Sequence, residues 1–196
     1  MKEQVNELLL QALETEMGGV QIYRTALECV VNKDLKKEWD EYLEQTTRHV
    51  EVMHELFEKL GLDPKQESPG RKVVRHIGES LVKAMKMAKD AGNPEAAQLV
   101  ACECIALAET KDHSNWELMS HLAKKTKGAE AKALKEACEE VEDQEDEHLY
   151  HSKGWGRELW IESLGLPAVL PPPEEEKDVK TAIGAARAAK ARETML

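Results

Sequence analysis

Glu145 and His148 stand three residues apart in the run EDEHLYH (145–151), inside a long acidic stretch. Residues three apart lie on one face of a helix. At about 100° per residue, both fall close to the apolar stripe of Leu134, Cys138, Val141 and Leu159, while Asp143 and Glu147 turn to solvent. The same test finds other polar residues on apolar faces. Glu16 falls within the stripe of Leu9, Leu13, Val20, Tyr23 and Leu27. His49 falls near that of Trp39, Leu43, Thr46, Val50, Met53 and Phe57. Glu109 and Asp112 sit at the edges of the face made by Ala101, Ile105, Ala108 and Met119. An isolated buried carboxylate is costly unless it is paired, protonated or bound to metal. Carboxylates joined by two imidazoles suit a pair of iron or manganese ions, whereas zinc sites more often hold one ion on histidine or cysteine. The candidate metal ligands are therefore Glu16, His49, Glu109, Asp112, Glu145 and His148, with Tyr23 a candidate catalytic partner seven residues after Glu16.

Some matches fail the phase test. Glu51 and His54 spell Glu-x-x-His, yet Glu51 points nearly opposite the stripe. Glu14 and Glu103 also read as outward-facing, and His151 as rotated too far to join the site. His49 has Thr46, not an acid, three residues before it. Glu44 or Gln45 would reach inward only from a distorted helix.

The elements that position these residues read as helices over 2–31, 35–60, 71–91, 94–125 and 129–164. Breaks fall at NKD (32–34), GLDPKQESPG (61–70), AGNPE (91–95) and TKG (126–128). Four long helices, a shorter connecting one and no strands predict an all-α, four-helix bundle with a long crossover. The first two and last two helices read as a possible pair of diverged hairpins. Residues 1–165 form the bundle and 166–196 a Pro-rich linker and Ala-rich arm; the three prolines at 171–173 favour extended chain. The arm either docks on the core or a second subunit, or frays.

Composition narrows the class. Of 196 residues, 41% are apolar, 33% charged and 4% aromatic, with Ala, Leu, Glu and Lys prominent, as helical proteins require. A net charge of −11 argues against nucleic-acid partners. No apolar run approaches the roughly 18 residues that a membrane span needs, and MKEQVNELLL has no signal-cleavage pattern, so a cytoplasmic location is expected. Cys29, Cys102, Cys104 and Cys138 form no C-x-x-C pair and read as packed thiols, which excludes a rubredoxin-type electron supply.

With Glu16-x6-Tyr23 and Glu145-x2-His148 in these places, the pattern resembles the ferritin-like superfamily. NKDLKKEWDEYLEQTTRHVEVMHELFEKLG (32–61) and GRKVVRHIGESLVKAMKMAKDAGNPEAAQLVACECIALAET (70–110) resemble the YciE/YciF-like family of bacterial stress proteins, over about residues 5–165. That resemblance implies a ferritin-like bundle and a non-haem di-iron or di-manganese centre on Glu16, His49, Glu109, Glu145 and His148. It also implies O₂ or peroxide redox chemistry. Thr46 departs from the pattern by replacing the second-helix acid, which leaves open a mononuclear or degenerate site. The alternative is a helical stress or interaction protein with a decayed site, and a third reading is an unrelated bundle with acidic faces. A homodimer and an unidentified electron donor are the expected partners.

Overall fold

The computed structural model describes residues 3–196, and every regular element among them is helical. The helices are α1 (Glu3–Ala26), α2 (Lys33–Leu60), α3 (Pro69–Asp90), α4 (Pro94–Lys125), α5 (Gly128–Ser163), a one-turn α6 (Pro173–Glu176) and α7 (Ala182–Ala191). Boundaries follow local chemistry. The side chain of Asn32 accepts from the backbone N–H groups of Asp34 and Leu35, and Gly61 closes α2 in the left-handed conformation. Ser68 and Asn93 cap α3 and α4, each followed by a proline that gives up an N–H no helix bond would use. The first helix ends at Ala26, five residues before the expected Val31, because residues 27–29 form turns and lead into the Asn32 cap. Its expected start at residue 2 lies outside the described residues.

Helices α1, α2, α5 and α4 pack as a closed ring in that order. Cross-helix contacts set their directions: Glu16 meets His49, His49 meets Gln144, His113 meets Asp146, and Thr15 meets Asn115. With the further pairs Gln98–Val31 and Trp160–Glu103, every neighbouring pair runs antiparallel, giving up-down-down-up order. Two down helices in succession require the chain to climb back between them, and α3 does so along the outside of α1 and α4. Gly18 and Gly78 permit the close approach, since a Cβ on Gly78 would lie 3.9 Å from the Gly18 Cα.

That packing corrects the reading of Glu14. It is buried, held by Arg71 Nε at 2.6 Å and Arg75 Nε at 2.7 Å, because α3 covers a second face of α1. Met17, at helical spacing from Leu13 and Val20, is nevertheless 41% exposed. The arm lies on α5. Arg157 grips buried Glu174 at 2.6 and 2.8 Å, and Arg192 pairs with fully buried Glu158. Gly154 leaves the room, since a Cβ there would lie 2.6 Å from Glu174 Oε2. The Pro-rich stretch is not wholly extended: α6 begins at Pro173, where proline is tolerated.

The interior divides into two apolar clusters. One gathers Tyr23, Leu35, Trp39, Met85, Ile105 and Trp155 at one end of the bundle. The other gathers Leu9, Leu13, Met53, Phe57, Met119 and Val141 at the opposite end. Between them lies a buried polar layer.

Candidate metal centre

Each ring helix contributes to this layer. Glu16 comes from α1, His49 from α2, Glu109 and Asp112 from α4, and Glu145 and His148 from α5; all are 4% exposed or less. Five of them converge as two overlapping trios, Glu16–His49–Glu145 and Glu109–Glu145–His148, each with ligand atoms within 4.8 Å of one another. Glu145 is shared. Its Oε1 lies 3.0 Å from His49 Nδ1 and 3.7 Å from His148 Nδ1. Glu16 Oε2 is 3.6 Å from His49 Nδ1, and Glu109 Oε2 is 3.6 Å from His148 Nδ1. Asp112 is buried beside the trios but belongs to neither.

The layer is built twice. His49 on α2 points Nε2 at Gln144 Oε1 on α5, at 2.7 Å. His148 on α5 points Nε2 at Gln45 Oε1 on α2, at 2.6 Å. Each glutamine is four residues before the other histidine. The Gln45 amide N–H group faces Glu41, so its oxygen accepts from His148. A carbonyl acceptor holds the proton on Nε2 and leaves Nδ1 facing the carboxylates, the tautomer that a metal ligand needs. Seven residues after each outer acid stands an aromatic that serves the other half. Trp116 Nε1 donates to Glu16 Oε1 at 2.6 Å and its ring is edge-on to His49. Tyr23 sits edge-on to His148 beside Glu109. Burial, then the Glu109 charge, raises the Tyr23 pKa well above its usual value, so the phenol keeps its proton.

The duplication is broken between α2 and α5. Gln144-Glu145-x-x-His148 on α5 corresponds to Gln45-Thr46-x-x-His49 on α2. Thr46 is buried and its hydroxyl has no partner. Gln45 reaches in from an unbroken helix, contrary to the expectation that distortion would be needed, while Glu44 stays exposed.

The electrostatics are unbalanced. None of Glu16, Glu109, Asp112 or Glu145 pairs with a lysine or arginine among the described residues. Burial pushes the Glu145 carboxyl up to about 7 and Asp112 well above the carboxylate range, with neighbouring acids adding to both. The carboxylates of Glu16 and Glu145 outweigh the effect of burial on His49 and raise its pKa well above the ordinary value. Glu16 Oε2, His49 Nδ1, Glu109 Oε2, Asp112 Oδ1, Glu145 Oε2 and His148 Nδ1 are all buried without a hydrogen-bond partner. His49 Nδ1 and Glu145 Oε1 are close but not aligned for one. Orphaned oxygen and imidazole donors around one small volume fit divalent cations.

Gln144, Trp116 and Tyr42 escaped the sequence reading. Gln144 looked like an ordinary polar position, although it repeats the Gln-x3-His spacing of Gln45 and His49. Tyr42 is buried, with its ring centroid 4.2 Å from that of His148 and its hydroxyl donating to Glu38. Glu51, His54 and Glu103 are exposed, and His151 pairs with Glu38 outside the trios. All four cysteines are free and buried. No helix among the described residues is long and apolar enough to cross a membrane. The chain matches no family model, no curated protein and no solved structure.

Proposed function

We propose that this chain is a ferritin-like di-iron or di-manganese carboxylate protein that reduces O₂ or peroxide, with Glu145 as the residue common to both ligand trios. The observation that carries this reading is the set of buried, partnerless donor atoms in two trios that share Glu145. Glu16 and His49 complete the ligand set on one side, Glu109 and His148 on the other. Two redox-active ions held by these residues would supply paired electrons to an oxidant and would offset the buried negative charge. The up-down-down-up ring with its α3 crossover supports the ferritin-like assignment. The chain's own groups do the rest. The two glutamines fix the imidazoles, Trp116 holds Glu16, and Tyr23 keeps an O–H beside Glu109 as a hydrogen-bond donor. The apolar clusters at both ends exclude bulk water. The reading calls for a separate electron donor, a cytoplasmic, stress-related setting and a second copy of the chain as partner.

The test is peroxide and O₂ consumption by anaerobically Fe(II)-loaded protein. Oxidation faster than that of free Fe(II), lost in Glu145→Gln, is expected. Oxidation no faster than free Fe(II) contradicts the redox assignment.

A second reading is a single-ion or decayed site in an interaction protein, and Thr46 favours it. It predicts one bound ion at most and no oxidant consumption.

A further inference from the structure

The geometry points to a dedicated path for divalent cations into the centre, an acidic cleft between α4 and α5 whose mouth is set by the C-terminal arm. This inference rests on the metal-centre reading above. The cleft has a volume of about 210 Å³. Its floor is Glu145, the residue common to both trios, and Trp116, whose indole holds Glu16. Its walls carry Glu142, Asp146 and His113, and Lys180 of the arm stands at the rim.

Side-chain exposure falls along the cleft, from 62% at Glu117 through 21% at Asp146 to 2% at Glu145. The cleft therefore connects solvent to a ligand of the buried site. Glu145 Oε2 is buried, has no partner, and belongs to a residue lining this cleft. The acids of the walls lower the potential for an arriving cation, and low-dielectric walls focus that field. His113 Nε2 lies 2.7 Å from Asp146 Oδ1, which makes an imidazole–carboxylate station on the way in. Lys180 contributes the opposite charge. Its Nζ sits 2.9 Å from Glu147 Oε1, so the docked arm places a cation where metal must pass.

A second acidic cleft tests the specificity of the assignment. It is larger, about 490 Å³, and carries Glu38, Glu41, His151 and Glu175. No member of the two trios lines it, and it reaches the centre indirectly, through the ring of Tyr42 and through Glu41, which accepts from Gln45. Acidity alone does not make a route; contact with a ligand does.

The experiment is stopped-flow uptake of Co(II) at low ionic strength, followed by visible absorption of the bound ion in the full-length, metal-free protein. Steering by clustered charge changes association rates by about ten- to a thousandfold. Glu142→Gln with Asp146→Asn is expected to slow uptake about tenfold, with final stoichiometry unchanged. Glu142→Gln alone is expected to slow it about threefold, and this exposed side chain has no partner whose loss would disturb the fold. Lys180→Gln is expected to speed uptake, and Asp34→Asn, at an exposed acid lining the other cleft, to leave it unchanged. Equal rates in wild type and the double variant, or equal slowing by Asp34→Asn, overturn the path while leaving the centre standing. No Co(II) uptake by the wild type overturns the centre and the path together.

Discussion

The α1–α2 and α4–α5 hairpins carry nearly the same equipment. Each supplies an outer acid (Glu16, Glu109), an aromatic seven residues later (Tyr23, Trp116), and a Gln-x3-His pair (Gln45 and His49, Gln144 and His148). Each aromatic and each glutamine serves the opposite hairpin. One hairpin then places Glu145 where the other places Thr46. The difference shows where the shared work falls. A symmetric site would have two bridging acids; here one carboxylate stands between two imidazoles. Removing it should damage both halves, whereas every other ligand belongs to one.

The largest effect expected is therefore from Glu145→Gln, which should weaken binding of both ions by more than about a hundredfold, measured by competition with a calibrated chelator. Loss of a single ion would mean that Glu145 is not shared. His49→Ala and His148→Ala should each remove one ion and leave the other, read as stoichiometry falling to half. Next come the paired glutamines. Gln45→Leu and Gln144→Leu should each cost about ten- to a hundredfold in affinity, because the imidazole tautomer is no longer fixed. Gln45→Leu should act on the ion held by His148, and Gln144→Leu on the ion held by His49, crossing between hairpins. Thr46→Glu restores the missing acid. It should tighten the weaker ion about tenfold and lower the melting temperature of the metal-free protein, since it adds a further buried carboxylate without a partner.

The smallest effect concerns pH. Glu145, with its folded pKa raised to about 7, and Asp112, raised well above the carboxylate range, are protonated more readily folded than unfolded. His49 is likewise raised above its unfolded value. Stability from raised groups is complete below the unfolded pKa and is lost as pH climbs through the folded one. Depressed acids such as Glu14 and Glu158 are ionised in both states above about pH 5, so they do not oppose the trend there. The melting temperature of metal-free protein should thus fall by about 5 °C between pH 5.5 and 8. Metal-loaded protein should show a flat or rising trend, since bound cations take the place of those protons.

Much of the arrangement was legible from helix phase. Glu16, His49, Glu145 and His148 stand out because the stripes around them are otherwise apolar, and the Glu51–His54 decoy fails by the same measure. Phase did less well where a helix has two covered faces. Glu14 looked outward because only the bundle face of α1 was counted, while Arg71 and Arg75 on α3 bury it from the other side. Amides were opaque for a different reason. A glutamine is at home on any helix surface, and the crossed pairing of Gln45 and Gln144 exists only once α2 and α5 lie antiparallel. Asp112 shows the opposite limit. It is as buried as the ligands, yet its side chain stops short of both trios.

The most direct test is metal content by elemental analysis, on protein purified without chelators or an affinity tag and then loaded anaerobically with Fe(II). Two ions per chain, falling to none in Glu145→Gln, is the predicted result. No bound ion in the wild type, with the helices intact, would contradict the metal centre.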